Sequence, residues 1–182
     1  MTATMDTKQK ITWITRTAMF IALLIVMQAV TAPLGNTLIT GSLVNMMLVV
    51  SVMIGGLWSG AAVALMSPVF ARFLGIGPFW AIVPFIMLGN LVLVLCWFFI
   101  ANREFLNPRL SYLAALFLGA VSKFLVLHIG VSMIAVPIIL GLPEPQATVV
   151  SGVFSVPQLF TAIIGSFIAL AILPILKRAT SL

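Results

Sequence analysis

Charged side chains are scarce in this sequence. Lys, Arg, Asp and Glu together make up 7% of its 182 residues, against roughly 25% in ordinary soluble domains. So few charges cannot cover a surface that faces water. A disordered chain is excluded as well, because 63% of the residues are apolar and must be buried somewhere. The composition therefore indicates an integral membrane protein.

Acidic residues are the rarest charged type. The chain has three, Asp6, Glu104 and Glu144, and none falls inside a long apolar run. Carriers driven by protons or sodium usually hold the ion with carboxylates inside the membrane, although backbone carbonyls stay open as sodium ligands. The phosphate-binding loop of ATPases is missing too. A transporter with this sequence would move its solute passively or depend on another subunit for energy.

Catalytic and metal-binding patterns are also missing. One cysteine, Cys96, excludes an internal disulfide, and one cysteine with one histidine, His128, cannot assemble a metal site. Neither paired carboxylates nor an H-E-x-x-H motif occurs. We therefore expect no enzyme activity, no metal and no cofactor.

Six apolar runs follow one another along the chain, and most are close to the ~20 residues that span a bilayer. The second and third runs meet in the glycine-rich residues 55–60, so we expect a tight antiparallel hairpin there. The fifth run is longer than one span, and we expect its end near Pro137 to be tilted, broken or interfacial. The predicted fold is all-α, one membrane domain of residues 1–182 with six transmembrane helices. The runs cover about 17–32, 39–55, 57–74, 79–100, 110–140 and 153–176.

The first run follows the basic segment KQKITWITR, a pattern that a cleaved signal peptide shares. Cleavage would leave an odd number of spans with basic ends on the wrong side, so we predict a retained helix. With the N-terminus inside, seven of the nine basic residues lie on the inner side, as the positive-inside rule requires. We therefore expect both termini in the cytoplasm, and basic residues that face lipid headgroups rather than nucleic acid. The seven are Lys8, Lys10, Arg16, Arg103, Arg109, Lys177 and Arg178.

Lys123 is the polar residue that lies deepest in a predicted span. It stands roughly 18 Å from the inner end of the fifth run at ~1.5 Å per residue, beyond the middle of a ~30 Å hydrocarbon core. A lysine at this depth is a functional candidate. The structural alternative is a lysine bonded to carbonyls that a proline kink frees. His128 lies about 140° around the helix from Lys123, so the two are not expected to share a face.

The remaining polar candidates each have a structural alternative. Arg72, at the outer end of the third run, either binds a ligand or extends to lipid headgroups. Trp80 is an interfacial aromatic or a stacking wall for a flat solute. The amides Asn45, Asn90 and Gln158 bond across helices or recognise a solute. Gln158 follows Pro157, which leaves the carbonyl of residue 153 without its helical donor, and Asn36 lies in the first outer loop.

Small residues form two ladders at four-residue spacing. Ala18 and Ala22 lie on the first run, and Gly56, Gly60 and Ala64 lie on the third. Such ladders allow helices to approach closely. For the third run, packing inside the chain is at least as good an interpretation as contact with a partner.

These features resemble the substrate-binding S components of energy-coupling factor transporters, which are six-helix membrane proteins of about this size. Residues 18–22 (AMFIA) fit the A-x-x-x-A pattern by which that family docks on its transmembrane T subunit. The resemblance covers nearly the whole chain and implies a complex in which the T subunit and two ATPase subunits supply energy. Further stretches that look like the family are 40–45 (TGSLVN), 55–60 (GGLWSG), 67–68 (SP) and 88–90 (LGN).

The resemblance also implies a ligand, because the family binds water-soluble vitamins or their precursors near the outer face. Two cationic candidates without an intramembrane acid favour an anionic or strongly accepting solute. Pantothenate fits best, with hydroxymethylpyrimidine, pyridoxine and cobalamin open. A stand-alone passive channel or small carrier acting as a homo-oligomer, and an accessory protein of a larger complex, stay open as other functions. The site residues expected are Asn36, Arg72, Trp80, Asn90, Lys123, His128 and Gln158.

Overall fold

The computed structural model describes residues 6–77, 79–101 and 107–180, so Arg103 and Glu104 lie outside the described residues. The described residues contain helices and turns but no strand, which confirms the all-α prediction. Short 3₁₀ turns precede the second and third helices, at Ala32–Leu34 and Trp80–Ile82, and a π-helical segment, His128–Leu140, continues the fourth. The α-helices are α1 (Thr7–Thr31), α2 (Thr37–Phe73), α3 (Val83–Ala101), α4 (Pro108–Leu127), α5 (Glu144–Val153) and α6 (Val156–Thr180).

Five helical stretches in the described part of the chain are long and apolar enough to cross a membrane. This number is one fewer than the predicted six, because the second and third runs together form the single element α2. The stretches fit a multi-pass membrane protein. They are Thr7–Leu34, Thr37–Phe73, Trp80–Ala101, Pro108–Leu140 and Glu144–Ala179.

Helix α2 is interrupted at Gly56. This residue has φ 79° and ψ 179°, a combination that essentially only glycine adopts. A Cβ atom placed on Gly60 would lie 2.7 Å from Cβ of Val52, whereas residues eight apart in a straight helix are about 12 Å apart. The chain therefore doubles back at Gly56. Gly60 and Ala64 are buried, so this ladder serves internal packing.

Several helix boundaries differ from the predicted ones. Helix α1 begins at Thr7 rather than near residue 17, because Asp6 accepts from the Thr7 backbone at 2.7 Å and Gln9 completes a capping box. Helix α5 was not predicted at all. It begins after Pro143, whose extended backbone (φ −64°, ψ 149°) provides the N-cap, so the segment between Gly141 and α6 is more ordered than its turn residues suggested.

Helix α2 is the centre of the bundle and packs against α1, α3 and α6, while α4 packs against α3 and α6. The main apolar core surrounds Leu24, Leu48, Leu93 and Trp97, all of them fully buried. A second apolar cluster around Ile82 lies under α5. The polar residues described below lie where α2, α3, α4 and α6 meet.

Candidate functional site

Lys123 lies at the meeting point of three helices. Its side chain is 2% exposed, and Nζ donates to Oδ1 of Asn45 and to Oδ1 of Asn90, both at 2.6 Å. These short charge-assisted bonds link α4 to α2 and α3. The carbonyls that receive the ammonium therefore belong to amide side chains, and not to backbone freed at a proline. An ammonium has three donors, and these two bonds use two of them.

Asn45 extends the network to α6. Its Nδ2 donates to the Gly41 carbonyl at 2.9 Å and to Oγ1 of Thr161 at 3.2 Å, and Thr161 donates to the Gln158 carbonyl at 3.0 Å. The backbones of α2 and α6 approach closely here, since a Cβ on Gly165 would lie 2.7 Å from Cβ of Asn45. A larger residue at Gly165 would separate the helices that hold this network.

No carboxylate balances the charge of Lys123 in the part of the chain that the structure describes. The two acidic residues described there, Asp6 and Glu144, are exposed and lie at the start of α1 and α5. Among the described residues, the ammonium is bonded to the amide oxygens of Asn45 and Asn90, and an uncompensated charge inside a membrane is costly. An anion next to Lys123 would provide the missing compensation.

A cavity of about 300 Å³ borders the lysine cluster, which consists of Lys123, Asn45 and Asn90. Four of the seven predicted site residues line it: Asn36, Asn90, Lys123 and Gln158. The structure thus brings together residues from the start of α2, the middle of α3, the last turns of α4 and the start of α6.

A smaller cavity of about 90 Å³ adjoins the first, and Gln28 and Asn90 line both. It adds Ser67 and a fifth predicted residue, Arg72. Oε1 of Gln28, Oγ of Ser67 and Nε of Arg72 are buried without a hydrogen-bond partner among the described residues, although buried polar atoms are nearly always paired. The walls of the smaller cavity therefore contain an unpaired acceptor, an unpaired hydroxyl and an unpaired cationic donor.

Two of the predicted amides also have structural bonds. Oδ1 of Asn36 accepts from the backbone of Leu38 at 3.0 Å and caps α2. Nε2 of Gln158 donates to the Val153 carbonyl at 3.2 Å, and so replaces the donor that Pro157 removes. Both residues line the cavity while helping to shape its wall.

Trp80 and His128 lie outside these two cavities. Trp80 is half exposed, packs edge-on against Phe73 with ring centroids 5.0 Å apart, and lies 5.7 Å from the guanidinium carbon of Arg72. His128 shares a hydrogen bond of 2.9 Å between Nδ1 and Oγ of Ser155, and its ring stacks on Phe124. Their side chains are therefore engaged with neighbouring elements, and His128 does not join the Lys123 cluster.

Sequence reasoning missed Gln28 and Thr161. Gln28 is an amide side chain inside the first apolar run. The same criterion that selected Asn45, Asn90 and Gln158 would therefore also have selected it. Thr161 carried no comparable signal, because a threonine in a membrane helix commonly bonds its own backbone. Its contact with Asn45 depends on how α2 and α6 pack.

Ala18 and Ala22 are both exposed on α1, so their face is accessible to a partner helix. No protein-family model, curated protein or solved structure matches the chain. The lysine cluster, the two cavities and the exposed face of α1 are therefore the features that bear on function.

Proposed function

We propose that this chain is the substrate-binding subunit of an energised importer, of the S-component type that its sequence resembles, and that its ligand is a small anionic vitamin or precursor. The observation that carries the proposal is the buried Lys123, which borders a cavity of about 300 Å³ without a carboxylate partner among the described residues. A buried cation that faces a cavity is suited to hold a carboxylate.

The size and polarity of the two cavities favour pantothenate. A volume of about 300 Å³ is at the lower end of the ~300–1,000 Å³ typical of small-molecule sites, which disfavours cobalamin with its large corrin ring. Pantothenate has a carboxylate for Lys123, and its hydroxyl and amide groups match the unpaired atoms of Gln28, Ser67 and Arg72. Hydroxymethylpyrimidine and pyridoxine have no carboxylate and fit less well.

The proposed source of energy is a T subunit with two ATPase subunits, since the sequence contains no ATP-binding motif of its own. The exposed pair Ala18 and Ala22 is the proposed docking face for the T subunit. Small side chains at four-residue spacing allow a partner helix to approach the backbone of α1.

The proposed topology has six membrane segments and both termini in the cytoplasm of a bacterial cell. The reversal at Gly56 supports it by dividing α2 into two segments, residues 37–55 and 57–73. Arg16 of α1 lines one cleft with Gly55 at the reversal and one groove with Leu176 near the end of α6, which favours one shared end of the bundle for these three places. Lys8, Lys10, Lys177 and Arg178 belong to the same helix ends, and positive charge favours the cytoplasmic side.

The double variant Ala18→Trp/Ala22→Trp tests the proposal by separating binding from transport. Affinity for pantothenate in detergent should change less than twofold, because the two alanines line neither cavity. Uptake of radiolabelled pantothenate by cells that also contain the energising subunits should fall at least tenfold, because two indoles block close helix approach.

A matched control places the same two indoles on α6. Ala171 and Ile175 are also exposed and four residues apart, and Ala171→Trp/Ile175→Trp should keep uptake. Normal uptake by the α1 variant would rule out this docking face. Uptake by the chain alone in liposomes without ATP would overturn the energised importer and favour the stand-alone carrier.

A further inference from the structure

A polar cleft lies between the first turns of α1 and the reversal of α2, away from the two cavities described above. Its volume is about 460 Å³. One wall of the cleft contains Lys8, Trp13 and Arg16 of α1, and the opposite wall contains Gly55 and Ser59. Asp6, Gln9 and Thr12 complete the lining.

The cleft has unused capacity to bind an anion. The carboxylate of Asp6 is occupied in capping α1, whereas Lys8 and Arg16 have no carboxylate partner within the described ranges of the chain. Nε1 of Trp13, in the wall of the cleft, is buried and has no hydrogen-bond acceptor among the described residues, which is an unusual state for an indole N–H. The two cations beside it together suit a phosphate group.

An apolar groove of about 280 Å³ continues from this cleft, and Arg16 lines both. The groove is rich in methionine, whose flexible thioether adapts to irregular apolar shapes. From Arg16 to Met27 it follows α1 for roughly 16 Å at ~1.5 Å per residue, about half of a ~30 Å hydrocarbon core. Its remaining lining consists of Met19, Phe20, Leu23, Met46, Met47, Val50, Ile54, Ile172 and Leu176.

We propose that cleft and groove together form a binding site for one anionic phospholipid. The phosphate contacts Lys8 and Arg16 beside the indole of Trp13, and one acyl chain fills the groove to about the depth of a single leaflet. A partner helix would fill the groove but would leave the two cations of the cleft without an anion, so the polar end of the site favours a lipid. This inference does not depend on which solute the chain carries.

Native mass spectrometry of the purified chain with added phosphatidylglycerol or phosphatidylcholine tests the site. We expect one tightly bound phosphatidylglycerol and at least tenfold weaker phosphatidylcholine. The variant Lys8→Gln/Arg16→Gln should weaken phosphatidylglycerol roughly 30-fold or more, because it removes both charge-assisted contacts to the phosphate. Lys10→Gln/Arg109→Gln is the matched control. It removes two exposed charges outside the cleft and should change affinity less than threefold.

A second pair of variants tests the groove. Leu23→Trp fills it and should weaken phosphatidylglycerol at least tenfold, whereas Val26→Trp, at an exposed residue of the same helix outside the groove, should have little effect. Glycerol phosphate and inorganic phosphate should bind at least a hundredfold more weakly than the lipid. The proposal is overturned if the two lipids bind equally, if free phosphate competes as well as the lipid, or if a co-purified polypeptide blocks the groove and no lipid is bound. Circular dichroism and gel filtration confirm that each variant is folded.

Discussion

Lys123 has structural bonds within the bundle and, in the proposed function, also binds the ligand. Its two short bonds to Asn45 and Asn90 join three helices, and they also hold the ammonium in place at the edge of the cavity. Asn45 is itself fixed by Gly41 and Thr161. A cation fixed in this way loses little side-chain freedom when a ligand binds, which favours high affinity.

The cluster should respond to mutation as a unit. Asn90→Leu removes one acceptor and leaves the buried ammonium with fewer partners, so we expect the free energy of unfolding in detergent to fall by about 1–3 kcal/mol. The double variant Asn90→Leu/Lys123→Met removes the charge as well and should be more stable than Asn90→Leu alone. A double variant as unstable as the sum of the single variants would show that the two residues are not coupled.

At this scale the sequence singled out Lys123 and three of the amides, but not their bonding partners. The depth of Lys123 in an apolar run marked it as unusual, and Pro157 marked the Val153 carbonyl as lacking a donor. That Asn45 and Asn90 receive the lysine, and that Gln158 serves Val153, depends on distances between elements. Periodicity in one sequence carries no information on those distances.

Helices could be predicted where hydrophobicity determines their position, and less well where local capping determines their boundaries. All six apolar runs lie mostly in helix, but α1 extends to Thr7 through polar residues because of the capping box at Asp6. Helix α5 was not predicted, because Gly141 and Pro143 before it are typical turn residues. The continuation of α4 as a π-helix from His128 had no sequence signal, since Pro137 pointed to a later irregularity.

The reversal within α2 decides how many membrane segments the chain has. In a Cys96→Ala background, single cysteines at Trp58 and Asn107 should label only from the cytoplasmic side, and one at Gln146 only from outside. Trp58 is 71% exposed just after the reversal, so a cysteine there is accessible to reagent. If α2 instead crossed as one continuous helix, position 58 would lie within the bilayer and stay unlabelled in intact and permeabilised cells alike.

At the scale of the whole molecule, polar chemistry is concentrated in two separate places. The cleft of Lys8 and Arg16 lies near the start of α1, and the cavity reaches Gln28 near the end of the same helix. The exposed alanines lie between them. Charge placement predicted that Lys8 and Arg16 lie at one end of the bundle, whereas a ligand site near the other end was an implication of the family resemblance. The cavity itself was not predictable, because it arises from residues of α1, α2, α3, α4 and α6 that come together only in the folded bundle.

The dissociation constant of the Lys123→Met variant tests the proposed anion site most directly. We expect pantothenate to bind the unmodified chain and to quench its tryptophan fluorescence. Loss of one charge-assisted hydrogen bond worth about 1.5–3 kcal/mol should weaken binding roughly 10- to 150-fold. Arg109→Met removes an exposed charge at the start of α4, at the other end of the helix from Lys123. It should leave the dissociation constant unchanged. An unchanged constant in a folded Lys123→Met variant would contradict the assignment and leave Lys123 with a purely structural role.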